Sequence, residues 1–171
     1  MKSVFFLLVF LFVTGCSQTP QYAVPSGVPQ AQVKSELDAL YNRRNGLDLT
    51  EAATTACKYG RTVVVKPGNR LFSVSPDVSK PDGFIAIEAG RPLHLVLHGW
   101  ASGNRSCTVN FVSEFRPGAR YVIKGGLVDD ASTLSGCYIE IFDLDSGSRV
   151  EKIKAPSLAR NCVLDDLPLL E

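Results

Sequence analysis

Pro92 to Phe115 reads PLHLVLHGWASGNRSCTVNFVSEF, and this segment is the clearest indication of the fold class. Its first nine residues are mostly apolar, and from Cys107 onward apolar and polar residues alternate, which is typical of β-strands. Val109, Phe111 and Phe115 fall on one face, because successive side chains of a strand point to opposite sides. The segment therefore predicts two strands.

Further short apolar segments lie between residues 61 and 154, separated by turn residues. The segments are Arg61–Val65, Leu71–Val74, Gly83–Ile87, Arg120–Lys124, Cys137–Leu144 and Arg149–Lys154. The turn signals are Pro67-Gly68, Pro81-Asp82-Gly83, Ala89-Gly90, Pro117-Gly118, Gly125-Gly126 and Asp145-Ser146-Gly147. Because no helical pattern intervenes, a mainly β fold is predicted: an antiparallel β-sandwich, immunoglobulin-like or transthyretin-like. Tyr121 resembles the tyrosine corner of such sandwiches.

The segment before these strands predicts a helix over residues 29–43. Pro29 suits a first helical turn, and Asn45-Gly46 provides a stop signal. The apolar residues recur at helical spacing and form one stripe, namely Val33, Leu37, Leu40 and Tyr41. We expect the stripe to pack on the domain, and the alternative is that it binds a partner.

A second, short helix is predicted from Leu49 to about Cys57. Asp48 with Glu51 three residues later resembles a capping box. The expected organisation is therefore one or two short N-terminal helices over residues 29–56, followed by a disulfide-linked β-sandwich domain over residues 57–171.

The N-terminus has the layout of an export signal, with Lys2 ahead of an apolar run from Val4 to Val13. A helix that spans a bilayer needs roughly 20 residues, and this run is shorter. Val13-Thr14-Gly15-Cys16 resembles the lipobox of bacterial lipoproteins. The resemblance implies that residues 1–15 are a signal peptide, that the Cys16 thiol receives a diacylglycerol group and that its amine is acylated after cleavage, with palmitate as a typical acyl chain. An ordinary secretory signal is the alternative.

The resemblance also implies a location, because Ser17 in place of an Asp favours the outer membrane, on its periplasmic side or its surface. Residues 16–28 are rich in Ser, Gln, Pro and Gly and predict a flexible tether. Loss of the leader removes one of the 18 basic residues, Lys2, and none of the 17 acidic ones, which leaves a formally neutral chain. Nothing in this charge balance favours a nucleic-acid partner.

Four cysteines remain after Cys16, and an even number in an exported chain predicts two disulfides. Four cysteines allow three connectivities, and the sequence alone leaves all three open. The layout of the strands favours Cys57–Cys162, which would join the ends of the domain, together with Cys107–Cys137, whose members both begin strands. No CxxC pair is present, so the spacing of a typical zinc site is absent. We therefore expect no metal and no cofactor.

His94, His98 and Trp100 share one face of the predicted strand and form the candidate partner surface. The Cα atoms of His94 and His98 would lie about 13 Å apart, too far for both to bind one metal easily. The His98-Gly99 turn is similar to the oxyanion strand of α/β-hydrolases, but the nucleophile elbow and the late histidine of that family are missing. The acidic pairs Asp129-Asp130, Asp143 with Asp145, and Asp165-Asp166 are expected to lie in turns.

These observations lead to one functional expectation. The chain is predicted to be a lipid-anchored envelope lipoprotein that binds a protein or glycan partner and acts as an accessory component, without catalytic residues. Two alternatives remain open: a small envelope hydrolase with an acidic cleft, and a structural subunit of a ring or coat.

Overall fold

The computed structural model describes residues 19–39, 45–58, 62–75, 83–130 and 133–154, and within these ranges the chain forms strands and no helix. The strands are β1 (Gln30–Asp38), β2 (Gly46–Lys58), β3 (Thr62–Val74), β4 (Ile85–Glu88), β5 (Pro92–Ala101), β6 (Arg105–Glu114), β7 (Arg120–Asp130), β8 (Thr133–Asp143) and β9 (Ile153–Lys154). The fold is therefore mainly β, as predicted.

The strands form two sheets. The first has the order β4-β1-β7-β8 and the second the order β3-β2-β5-β6-β9. All pairs in the second sheet are antiparallel, whereas β1 and β7 of the first sheet are parallel. The expectation of purely antiparallel pairing is therefore wrong for this one pair, because a chain segment far from β1 in sequence supplies its neighbour.

Both sheets contribute to one hydrophobic core. Leu95 and Leu97 of β5 are fully buried, and so are Val33 of β1, Ile123 of β7 and Ile141 of β8. Burial alternates along most of β1 and along β6, whereas Leu93 to Leu97 of β5 are buried at five consecutive positions. The alternation in β6 is what the sequence pattern predicted for the segment from Cys107 to Phe115.

The predicted helix over residues 29–43 is wrong, because β1 occupies Gln30–Asp38. Its central position between β4 and β7 gives its backbone hydrogen-bond partners on both sides. Val33 and Leu37 are both fully buried. A spacing of four residues places two side chains on the same face of a helix and also of a strand, so this pair could not distinguish them.

The predicted helix from Leu49 to about Cys57 is also wrong, because these residues belong to β2. Leu47 and Leu49 are fully buried while Asp48 between them is half-buried, which is the period of a strand. The apparent capping box does not cap a helix, since Asp48 forms an ion pair with Arg70 of β3 at 3.6 Å. Residues 29–56 therefore contain strands of both sheets.

Two predicted turns lie inside strands. Gly125-Gly126 falls within β7, where a Cβ on Gly125 would come within 2.6 Å of the Tyr138 carbonyl oxygen of β8. These glycines allow close approach of neighbouring backbones. Pro67-Gly68 falls within β3, where the β2–β3 register shifts between Ala52 and Thr54.

A disulfide between Cys107 of β6 and Cys137 of β8 joins the two sheets, with Cα atoms 5.8 Å apart. This pairing is one of the two predicted from the sequence. Gly99 makes room beside it, since a Cβ there would lie 2.9 Å from the Cys107 sulfur. The other predicted pair, Cys57–Cys162, lies outside the residues whose side chains the structure describes.

The structure contains two features that the sequence predicts, the tyrosine corner at Tyr121 and the turn at Asp143. The Tyr121 hydroxyl accepts a hydrogen bond from the Arg116 backbone N–H at 2.8 Å, which is the contact that defines a tyrosine corner. Asp143 Oδ1 accepts hydrogen bonds from the backbone N–H groups of Asp145 and Ser146 at 2.9 and 3.0 Å. Asp143 thus closes a turn, and its second oxygen pairs with Arg116.

The segment before β1 lies partly against the second sheet. Pro20 accepts a hydrogen bond from the Arg70 N–H at 2.8 Å, and the Tyr22 N–H donates to the Arg70 carbonyl at 2.8 Å. Tyr22 is buried, so the predicted tether over residues 16–28 contacts the domain at this point. Across the described ranges, no helix has the length and apolar character needed to span a membrane.

Candidate functional site

His94, His98 and Trp100 all lie on the face of β5 that points away from the shared core. Their neighbours Leu93, Leu95 and Leu97 point inward, so strand alternation places the three on the outer side of the second sheet. Exposure differs among them, because His94 is buried, His98 is exposed and Trp100 is half-buried. Only His98 and Trp100 are thus available together at the surface.

The rings of His98 and Trp100 lie side by side. Their centroids are 6.1 Å apart and their planes differ by 28°. His98 Nδ1 lies 3.2 Å from Thr108 Oγ1 on the paired strand β6, and this hydrogen bond orients the imidazole. The two rings therefore form a small, fixed aromatic surface near the end of β5.

Gly46 of β2 lies beneath Trp100, with which it is paired in register. A Cβ on Gly46 would come within 2.1 Å of Trp100 Cζ2, so only glycine lets the indole lie flat on this strand. The sequence pattern predicts the end of a helix at Asn45-Gly46, and this contact with Trp100 is not evident from it. The signal was the glycine itself, since a glycine in a strand often marks a close approach.

The turn between β5 and β6 completes the site. Ala101 pairs with Arg105, so the turn is formed by Ser102, Gly103 and Asn104. Gly103 and Asn104 have φ values of 81° and 58°, the left-handed region that short hairpin loops use.

Two hydrogen bonds hold this turn in place. Arg105 Nε donates to the Ser102 carbonyl at 2.9 Å, and the Ser102 N–H donates to the buried side chain of Asn45 at 3.4 Å. The second bond connects the turn to the residue before Gly46, so the turn and the floor under Trp100 are held together.

An open depression of about 490 Å³ lies at this turn, lined by Trp100 to Ser106. We call the surface formed by the rings and the turn the hairpin site. Its members are His98, Trp100, Ser102, Asn104, Arg105 and Ser106. They combine one large aromatic face with hydroxyl, amide and guanidinium groups, which is the composition of a binding surface.

His94 lies in a different environment. Burial lowers the pKa of its imidazole, so the ring is neutral at physiological pH. His94 and His98 are four positions apart on β5, a Cα distance of about 13 Å. The structure thus places His94 apart from the hairpin site.

A second polar cluster lies at the opposite end of β5, about 26 Å from Trp100 by strand length. Arg91 Nε and Nη2 donate to the two carboxylate oxygens of Glu88 at 2.5 and 2.6 Å. The Tyr22 hydroxyl accepts a hydrogen bond from the Glu88 N–H at 3.2 Å. Sequence reasoning did not single out these residues.

The carboxyl groups in this cluster have pKa values shifted in opposite directions. The hydrogen bonds from Arg91 hold the pKa of Glu88 below its usual range. Burial raises the pKa of Glu51, against the lowering effect of a hydrogen bond from Asn69. The bidentate ion pair between Glu88 and Arg91 connects the end of β4 to the start of β5, and we therefore assign it a structural role.

No group of three His, Cys, Asp or Glu side chains among the described residues is arranged to hold a metal ion. The acidic residues Asp143 and Asp145 are engaged in the turn and its ion pairs.

Comparison of the chain with protein-family models, curated proteins and solved structures gives no match.

Proposed function

We propose that this chain is a lipid-anchored protein of the bacterial cell envelope, most consistent with the outer membrane, and that it binds a partner through the hairpin site. In this proposal the two sheets form a sandwich, immunoglobulin-like or transthyretin-like, that serves as a rigid scaffold. The observation that carries the proposed partner binding is the position of Trp100, which lies outside the core and on Gly46. An aromatic ring held in this way can contact a partner with little loss of side-chain entropy.

The direction of the chain near Pro20 supports this assignment. Gln21 pairs in parallel with Arg70 of β3, so the chain runs here in the same direction as β3. β3 ends at Val74, which pairs with Leu47 of β2. Leu47 also pairs with Gly99, near the end of β5 that carries the hairpin site. The described residues from Pro20 to Tyr22 therefore run toward the end of the sheet that carries the hairpin site. Cys16 lies four positions before Pro20, a span of at most about 14 Å, so a lipid on Cys16 would hold the domain at the membrane within that distance of Pro20.

The anchor is tested by Cys16→Ala. We expect this variant to lose labelling by radioactive palmitate and to appear in the soluble fraction, because the thiol and the new amine of Cys16 are the acylation sites implied by the lipobox resemblance. The control is Cys107→Ala, which should keep its label. Continued labelling of Cys16→Ala would contradict the anchor.

The partner surface is tested by capture from envelope extracts with the full chain and its Trp100→Ala variant. We expect at least a tenfold loss of captured material, identified by mass spectrometry and sugar analysis. The matched control is Tyr138→Ala, which removes an exposed aromatic residue from the other sheet. Equal capture by all three proteins would exclude the hairpin site as the partner surface.

The alternatives receive less support from the geometry. The depression at the hairpin site is lined by no carboxylate, and the shifted pair Glu51 and Glu88 lies at the other end of β5. A hydrolase would need such groups at the place where the substrate binds. A ring or coat subunit would form oligomers, which sedimentation of the purified protein would detect.

A further inference from the structure

The chemical class of the partner can be narrowed from the side chains around the hairpin site, and this step rests on the proposed function. The depression beside Trp100 has a volume of about 490 Å³, within the range of small-ligand sites, which is roughly 300 to 1,000 Å³. A stable protein partner would instead cover roughly 800 Å² of a surface. The volume therefore favours a ligand of small cross-section, such as a sugar chain, over a folded protein.

Trp100 supplies the apolar surface for such a ligand. Its ring lies on Gly46 and beside the imidazole of His98, which the hydrogen bond to Thr108 orients. The indole is half-buried, so part of it stays open to solvent. The C–H face of a sugar ring can stack on an aromatic ring, and an aromatic ring that is already held in place loses little entropy on binding.

A row of neutral polar side chains continues this surface along β6. Ser106 pairs with Trp100 and Thr108 pairs with His98, so both lie on the outer face of the second sheet. Asn110 follows two positions later on the same face, and all three side chains are exposed. We call these three residues the β6 row. It spans about 13 Å between its outer Cα atoms, which is longer than one sugar ring.

The β6 row matches the hydrogen-bonding groups of a sugar. Serine and threonine hydroxyls and the asparagine amide both donate and accept, so they can pair with sugar hydroxyls in either direction. Ser106 and Asn110 are exposed, so their polar groups are accessible to a ligand. A sugar chain that lies across Trp100 would thus place the hydroxyls of its next rings along β6.

The charges around this surface favour a neutral ligand. Arg105 is the one charged residue among those that line the depression, and it is engaged within the protein, with its Nε donating to the Ser102 carbonyl at 2.9 Å. We therefore assign it a structural role in the turn. Asp48, on the strand next to His98, pairs with Arg70. A charged group on the ligand would thus meet ions that already have partners.

We propose that the hairpin site and the β6 row together bind a neutral oligosaccharide, with one sugar ring stacked on Trp100 and the following rings along β6. Such a ligand uses the aromatic surface and the neutral hydrogen-bonding groups at the same time. A monosaccharide reaches only the part around Trp100, and an acidic oligosaccharide gains no additional contact.

The test follows the fluorescence of Trp100, which is the single tryptophan of the chain, in the purified full-length protein. The probes are two neutral tetrasaccharides, chitotetraose and cellotetraose, which differ in their acetamido groups. We expect a saturable change with at least one of them and at least tenfold weaker binding of the corresponding monosaccharide. A tetrasaccharide of alternating N-acetylglucosamine and N-acetylmuramic acid, which adds carboxylates, should bind no more tightly than chitotetraose.

Variants of the two parts of the surface assign the contacts, with calorimetry as the measurement. Trp100→Ala should weaken the tetrasaccharide at least tenfold, and Trp100→Phe, which keeps an aromatic ring, should recover part of the loss. Tyr138→Ala is the control, because it removes an exposed aromatic ring from the other sheet. Asn110→Ala should weaken the tetrasaccharide severalfold, whereas Gln32→Ala, which removes an exposed amide from the other sheet, should leave it unchanged.

The outcomes separate this inference from the proposed function. Tighter binding of the acidic probe would overturn the neutral class, and equal affinity for monosaccharide and tetrasaccharide would overturn the role of the β6 row. Absence of saccharide binding, with capture of an envelope protein that still depends on Trp100, would overturn the inference and leave the proposed function in place. Absence of both would overturn both.

Discussion

At the scale of single residues, neighbours on adjacent strands decide what each side chain does. His94 and His98 are chemically identical and share one strand face, yet His94 is buried and neutral whereas His98 is exposed beside Trp100. Gly46 is equally dependent on its neighbour, because the indole of Trp100 occupies the space of its missing Cβ. The roles of these residues therefore follow from contacts across strands.

Glu88 gives a prediction at the same scale. Its carboxylate is nearly buried and accepts two hydrogen bonds from Arg91, so Glu88→Gln should lower the free energy of unfolding at pH 7 by about 1 to 3 kcal/mol. Arg91 lowers the folded-state pKa of Glu88 below its ordinary value of 4.5. The stabilisation is thus complete above about pH 4.5 and is lost as the pH falls through the folded-state pKa.

Urea unfolding of wild type and variant between pH 3 and 7 measures this effect. The difference between the two proteins should shrink on the acid side. Glu36→Gln is the control, because Glu36 is an exposed partner of Lys34 and Lys124 and should change stability by less than about 0.5 kcal/mol. A Glu88→Gln difference that grows toward acid would contradict the sign of the shift.

At the scale of elements, β1 shows how one segment joins the sheet. Its spacing of Val33 and Leu37 fits a helix and a strand equally, and pairing with β4 and β7 selects the strand. The parallel pairing with β7 begins at Gln32 and Arg120, which are far apart in sequence. The identity of this element is therefore a tertiary property.

Leu37 tests the assignment of β1. Its side chain is fully buried, so Leu37→Ala should lower the free energy of unfolding by about 2 to 5 kcal/mol, as a cavity forms in the shared core. Glu36→Ala and Asp38→Ala, at exposed positions on either side, should each cost less than about 1 kcal/mol. Comparable losses at all three positions would argue against the strand alternation.

At the scale of the whole molecule, the disulfide between Cys107 and Cys137 ties one sheet to the other. It closes a segment with a sequence separation of 30 residues. The chain-entropy relation assigns about 3 to 4 kcal/mol to a loop of this size. The crosslink lies at the end of the molecule that carries the hairpin site, since Cys107 pairs with Gly99.

A variant with Cys107→Ala and Cys137→Ala should therefore unfold at lower denaturant concentration, with a loss of about 3 to 4 kcal/mol. Alkylation of the native wild-type protein supplies the control, because a bonded pair leaves these two thiols unlabelled until a reductant is added. An unchanged unfolding transition, or labelling without reductant, would show that the bond does not form.

The local pattern of residues was sufficient for the mainly β class and for the two strands around the 92–115 segment, and it favoured the Cys107–Cys137 pair among three possible connectivities. These features depend on alternation, turn residues and cysteine number, which are readable over a few neighbouring positions. The lipid anchor at Cys16 likewise rests on a local sequence pattern. It stays a prediction, because Cys16 lies outside the described residues.

Tertiary contacts were needed for the rest. They selected strand over helix for residues 30–38 and 46–58, placed Gly125-Gly126 inside β7, and separated buried His94 from exposed His98. They also placed Trp100 on Gly46, from which the hairpin site follows. The physical reason is that strand pairing joins residues far apart in sequence, so the partner that covers or supports each side chain cannot be identified from its neighbours along the chain.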